Sequence, residues 1–277
     1  MEVFHSIPPA RALLAASDRP LGLVPTMGCL HEGHLALVRQ ARADNRSVVV
    51  SIFVNPTQFG PAEDFAHYPR DMDRDLALLR HEGVDVVFAP SVEEMYPAGF
   101  GTGIVVEGIT ERLEGEFRPG HFRAVTTIVA KLFNVVQPDR AYFGQKDAQQ
   151  LRVILKMVLD LNLAVEVCAV PTVREEDGLA MSSRNVLLSP EERAAATVLS
   201  RALREASQRY KDGERSGDRL REAMRAVLAG EPLARPDYVS VADADTLLEL
   251  AQMDRPALLS LAARIGKTRL IDNLPLP

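Results

Sequence analysis

Through the first half of the chain, short apolar runs rich in β-branched residues alternate with longer stretches of helical spacing. Leu21–Val24, Ser47–Val54 (SVVVSIFV), Val84–Phe88, Arg140–Phe143 and Ala164–Val170 are the apolar runs. Runs this short, with no polar alternation, fit strands covered on both faces. Between them, His34–Ala43, Arg70–His81, Phe122–Val136 and Ala148–Leu161 carry helical patterns. In the last of these, Leu151, Ile154, Leu155 and Val158 fall at i, i+3, i+4 and i+7, an apolar stripe facing a core. Strand–helix–strand alternation predicts a parallel sheet with right-handed crossovers. Ligands of such sheets bind at the carboxyl ends of the strands, where the strand order reverses.

The pattern changes after about residue 172. Ser189-Pro190-Glu191-Glu192 has the form of a helix start, with Ser189 at the N-cap, Pro190 at N1 and Glu192 closing a capping box. That helix runs to Lys211-Asp212-Gly213, with Leu199, Ala202, Leu203 and Ala206 on one face, and a second follows from about Asp218 to Ala229. Three later runs, Tyr238–Val241, Ala257–Leu261 and Thr268–Ile271, suggest strands. The expected architecture is α/β: a Rossmann-like parallel-sheet nucleotide-binding domain over residues 1–172 and a smaller α+β C-terminal domain over residues 173–277.

Composition narrows the chemistry. Lys and Arg total 32 against 38 Asp and Glu, a net charge of −6, so the chain is a poor generic partner for a phosphate backbone. Any anion site must be a local cluster of donors. The two cysteines, Cys29 and Cys168, exclude a disulfide scaffold and show no zinc-binding spacing. No leader or membrane-spanning run is evident, so a cytoplasmic protein without membrane or nucleic-acid partners is expected.

Four segments carry candidate chemistry. Met27-Gly28-Cys29-Leu30-His31-Glu32-Gly33-His34 follows an apolar run and opens a helix. A helix start offers free N–H groups to an anion, and two imidazoles three residues apart add donors for phosphate oxygens. Gly144-Gln145-Lys146-Asp147 ends another run and supplies a point charge, although it would also serve as an ordinary helix start. Met181-Ser182-Ser183-Arg184 brings two hydroxyls and a guanidinium, suited to wrapping phosphates or to linking two domains. Asn55-Pro56-Thr57-Gln58-Phe59 presents neutral amides at the end of the strongest run; these could recognise a small polar substrate or simply build a turn. Asp64, Tyr68 and Arg70, and the polar stretch Glu114, Arg118, Gly120, His121 and Arg123, lie beyond it. Donors and cations without a covalent nucleophile suit attack on the α-phosphate of a nucleotide. A tRNA-charging enzyme and a non-catalytic nucleotide-binding module use related pieces.

The segments PTMGCLHEGH, SIFVNPTQF, EDFAHYPRD, RPGHF, AYFGQKDAQQL, VPTVREEDGLAMSSRN and the late IDN occur in an order that resembles the pantoate–β-alanine ligase family over nearly the whole chain. That family belongs to the HIGH-motif nucleotidyltransferases, with HEGH standing for HIGH and MSSRN for KMSKS. The resemblance implies ATP-dependent condensation of pantoate with β-alanine to pantothenate through a pantoyl adenylate, releasing pyrophosphate and AMP. It implies ATP contacts from Met27, Gly28, Cys29, Leu30, His31, Glu32, Gly33 and His34, from Gly144, Gln145, Lys146 and Asp147, from the Val173 backbone, and from Met181, Ser182, Ser183 and Arg184. His34, with His31 and Lys146, would be catalytic. Gln58 and Gln150 would bind pantoate, Gln58 also β-alanine, and Asn55 would bind pantoate or help place metal and phosphate. The resemblance further implies Mg²⁺ carried with the triphosphate, no protein-held metal site, and a homodimer. Cys29, Gln145 and Ala148 depart from the family's commonest residues.

Overall fold

The computed structural model describes residues 1–60, 65 and 68–277; Asp64 lies outside them. The chain divides into two units, one of Met1–Gln145 with Gln150–Pro171, the other of Lys146–Gln149 with Thr172–Pro277.

The first unit is built on a six-stranded parallel sheet. Its strands are β1 (Glu2–Phe4), β2 (Leu21–Thr26), β3 (Ser47–Ile52), β4 (Val86–Phe88), β5 (Arg140–Gly144) and β6 (Glu166–Val170), in the order β1-β4-β3-β2-β5-β6. The five expected apolar runs became β2 to β6. β2 and β3 run in register from Leu21 opposite Ser47 to Thr26 opposite Ile52. Val48, Val49 and Val50 are fully buried, as a sheet covered on both faces requires. Strand order reverses at β2, whose neighbours are β3 and β5. The crevice at the carboxyl ends of β2 and β5 is therefore the place where this topology holds a ligand.

The N-terminal strand and helix were not anticipated. β1 pairs in parallel with β4, and a helix spans Ile7–Ala15 with proline at its first positions. Pro8 and Pro9 break a run of apolar residues, but proline is favoured in the first turn, where its missing N–H has no partner to lose.

The second unit packs helices on a three-stranded antiparallel sheet, β7 (Ala234–Asp243), β8 (Ala257–Ile265) and β9 (Thr268–Leu276). The Ser189 capping box forms as expected. The helix behind it is not continuous: Pro190–Ala195 ends, and Val198–Lys211 starts again after Ala196 and Thr197. Leu199, Leu203, Leu220 and Met224 from its helices bury against Leu259, Leu261 and Ile265 of β8. Among the described residues no helix is long and apolar enough to cross a membrane.

Candidate active site

In the first unit, the segment after β2 turns sharply. Gly28 and Cys29 both have positive φ, 81° and 51°. Gly28 meets this requirement without strain, whereas Cys29 is held there by its surroundings. The restraint comes from the Met72–His81 helix. The Asp75 carboxylate, 1% exposed, accepts the Cys29 N–H at 2.7 Å and the Leu30 N–H at 2.8 Å. Arg74 from the same helix donates to the Leu30 carbonyl at 2.9 Å. Burial pushes the Asp75 carboxyl above the ordinary carboxylate range, against the two N–H bonds that favour its charged form. Burial first, and the Asp75 charge second, push the Cys29 thiol up, so this cysteine is not an activated thiolate.

The turn ends in an N-cap that uses imidazole rather than a hydroxyl. His31 caps the Glu32–Asp44 helix, its Nδ1 accepting the Gly33 N–H at 3.1 Å, while His34 Nδ1 accepts the His31 N–H at 3.3 Å. This is a capping box with two histidines in the roles usually taken by Ser and Glu. The ring centroids stand 4.1 Å apart. An Nδ1 that accepts cannot carry a proton, so each ring, when neutral, is the Nε2–H tautomer. The remaining side chains of the segment divide. Leu30 is buried in the core below the turn. Glu32 forms an ion pair with Arg39.

At the end of β3, Asn55 is 1% exposed and its amide is spent within the protein. Its Oδ1 accepts from the Thr57 hydroxyl at 2.8 Å and the Tyr96 hydroxyl at 2.9 Å, and its Nδ2 donates to Gln58 Oε1 at 3.1 Å. The last bond sets which way the Gln58 amide faces and leaves Nε2 directed toward the Met27 sulfur at 2.9 Å. The Gln58 carbonyl is 3.1 Å from His121 Nδ1. Arg118, just before the His121–Val136 helix, donates to the same carbonyl at 3.4 Å, so the start of that helix anchors the Gln58 backbone. Gly144 and Gln145 lie at the carboxyl end of β5; Gln150, half-buried, lies in the Ala148–Asp160 helix.

In the second unit, Lys146 is 18% exposed at its side chain, and Asp147 stands 4.0 Å from it, 48% exposed. Val173 and Met181 are joined across a short hairpin, with the Met181 N–H donating to the Val173 carbonyl at 3.0 Å. Ser182 caps the turn that follows by accepting the Arg184 N–H at 3.2 Å. A small cleft with about 10 Å³ of free volume is lined by Lys146, Ser182, Arg184, Asn185, Arg269 and Asp272, among others. Two of the segments singled out in the sequence therefore line one cavity in this unit. Sequence reasoning missed Asp75, Arg174 and Arg269. Their ionic or N–H partners lie 32 to 98 residues away, and no local spacing marks them.

Comparison with known proteins gives the family. The pantoate-beta-alanine ligase family model matches residues 2–275. A pantothenate synthetase of Roseiflexus castenholzii is 64% identical over 273 residues, covering 99% of this chain and 98% of that one. One of Moorella thermoacetica is 57% identical over 279 residues, covering 100% and 99%. The crystal structure of the Thermus thermophilus pantothenate synthetase superposes with a TM-score of 0.96 at 52% identity, covering 99% of both chains. A Francisella tularensis pantoate-beta-alanine ligase, crystallised in complex with beta-gamma ATP and beta-alanine, superposes with a TM-score of 0.83 at 33% identity, covering 99% of this chain and 97% of that one. The chain belongs to the pantoate–β-alanine ligase family.

Proposed function

We propose that the chain condenses pantoate with β-alanine in two steps on one ATP. In the first, a pantoate carboxylate oxygen attacks the α-phosphorus, the bond to the β-phosphate oxygen breaks, and pyrophosphate leaves. In the second, the β-alanine amine attacks the acyl carbon of the adenylate, loses a proton, and expels AMP. The observation that carries this reading is the double-histidine cap. Both Nδ1 atoms are tied to backbone N–H groups, so both rings, when neutral, carry their proton on Nε2 in a fixed orientation. A donor held rigid before reaction stabilises charge as it grows on phosphate oxygens without reorganising at that moment.

In this reading His34, with His31, donates to the phosphates; Gly28 lets the backbone approach closely, Met27, Cys29 and Gly33 shape the surrounding wall, and Leu30, in the core, and Glu32, paired with Arg39, support the turn rather than meet the nucleotide. Lys146 holds a phosphate as a point charge, next to Gly144, Gln145 and Asp147. Ser182, Ser183 and Arg184 bind the leaving pyrophosphate, Met181 abuts the nucleotide, and the Val173 backbone meets the adenine. Gln58 and Gln150 hold pantoate, and Gln58 also guides β-alanine. Asn55 contributes by fixing the Gln58 amide, since its own polar atoms are already engaged.

Magnesium enters as part of the MgATP substrate. The donor set fits that role, because Mg²⁺ in phosphate chemistry takes most of its shell from water and phosphate oxygen and needs one or two carboxylates at most. Asp147, half-exposed beside Lys146, is the carboxylate available to a metal-bound water. A cytoplasmic homodimer completes the reading, on the family's pattern.

Isotope exchange between pyrophosphate and ATP tests it. Exchange should require pantoate and proceed without any amine. Exchange without pantoate, or driven better by another acid, would contradict the substrate assignment.

A further inference from the structure

The late IDN segment has no part in the chemistry above, yet two of its side chains are buried in the second unit. Asp272 is 2% exposed and Asn273 5% exposed, both on β9. Burying a carboxylate is costly unless it is paired and hydrogen-bonded, and here it is both. Asp272 takes a two-pronged ion pair from Arg174, at 2.7 and 2.9 Å, and also accepts the Asn273 N–H at 2.8 Å. The same guanidinium donates to the Gly178 carbonyl at 3.0 Å and the Asn273 carbonyl at 3.2 Å. It thereby pins the Val173–Met181 hairpin to β9 directly ahead of Ser182. Asn273 reaches the other segment, its Nδ2 donating to the Lys146 carbonyl at 2.8 Å. Of two consecutive residues of one strand, Asn273 thus holds the Lys146 backbone and Asp272, through Arg174, holds the hairpin that leads into Ser182, and Asp272 also lines the pocket that Lys146 and Ser182 share.

We infer that Asp272 and Asn273 are positioning residues for adenylation, setting the placement of the Lys146 ammonium against the Ser182–Arg184 donors. This rests on the reading of those groups as the phosphate grip. Neither residue acts on the acyl carbon, so the amine step should not depend on them. A group displaced by about 1 Å costs on the order of 100-fold in rate, which sets the scale of effect.

The test uses Asn273→Asp and Asp272→Asn in the full chain, each nearly isosteric with the native residue. Asn273→Asp turns a donor into a charged acceptor facing the Lys146 carbonyl. Asp272→Asn gives one Arg174 prong an N–H to face. Pantoate-dependent pyrophosphate exchange is measured alongside single-turnover consumption of added pantoyl adenylate by β-alanine. Exchange should fall about 10- to 100-fold in kcat with the KM for pantoate little changed, while adenylate consumption stays near the parent rate. Parallel loss of both steps would show that the pair merely supports the fold, and unchanged exchange would show that it positions nothing. Either result overturns the inference. Absence of pantoate-dependent exchange in the parent chain would instead overturn the functional reading itself.

Discussion

The double-histidine turn and the Lys146–Arg184 pocket supply the same kind of group, donors for phosphate, but their geometry is fixed over very different spans of chain. In the first, His31 and His34 are oriented by bonds two and three residues away. The remote ties to this turn come from one helix, Asp75 reaching 45 and 46 residues to its partners and Arg74 reaching 44 to the Leu30 carbonyl. In the second, the ties from Arg174 to Asp272 and from Asn273 to Lys146 cross 98 and 127 residues. A locally capped turn holds its shape as long as its helix does. A long-range clamp exists only when the whole unit has folded, and it fails when one strand is altered far from the pocket.

The largest effects should come from the donors themselves. His34→Ala should lower kcat about 100- to 1,000-fold with the KM for pantoate little changed, because its hydrogen bond strengthens as charge develops. Steady-state kinetics would check this; a loss confined to KM would make the residue a binding group only. Lys146→Ala should slow adenylation in rapid-quench experiments, and a normal single-turnover rate would remove it from the phosphate site.

Asp75→Asn probes the buried remote tie to the local turn. An amide in that place accepts one N–H and turns its own donor toward the other. Leaving a buried N–H unsatisfied costs about 1–3 kcal/mol, seen as a lower denaturation midpoint. The pH dependence has a definite sign. Because burial holds the folded carboxyl above its unfolded value, the native chain binds more protons than the unfolded one across the interval between the two values. Its contribution to stability is therefore greatest below that interval and falls as pH rises through it. Asp75→Asn should remove that slope from the stability–pH profile; an unchanged slope would show that another group carries it.

The smallest effect should follow Ser189→Ala, which removes the cap of the Pro190–Ala195 helix outside both donor regions. A loss of about 1 kcal/mol with unchanged kcat is expected. A fall in activity would mean that this short helix is coupled to the pocket.

The same contrast of span explains what could be read from the chain alone. β2 to β6 announced themselves because fully buried strands are continuous apolar runs, and the Ser189 cap because its signal is four residues long. β1 stayed hidden: three residues beginning with Glu2 carry no periodicity, and only its pairing with β4 makes it a strand. The segments with donor chemistry were visible as clusters of polar residues next to glycine. Their supports were not. Asp75 reads as one of several acids on an amphipathic helix, and Asp272 as a polar residue near the end of the chain, until the fold brings their partners to them.

The account rests on the tautomers of His31 and His34, which nitrogen NMR reads directly. In protein carrying ¹⁵N-labelled histidine, at mildly alkaline pH, both rings should show an unprotonated Nδ1 and a protonated Nε2, and a non-hydrolysable ATP analogue should shift the Nε2 signals more than the Nδ1 signals. A proton on Nδ1 of either ring, or Nε2 signals indifferent to the nucleotide, would contradict it.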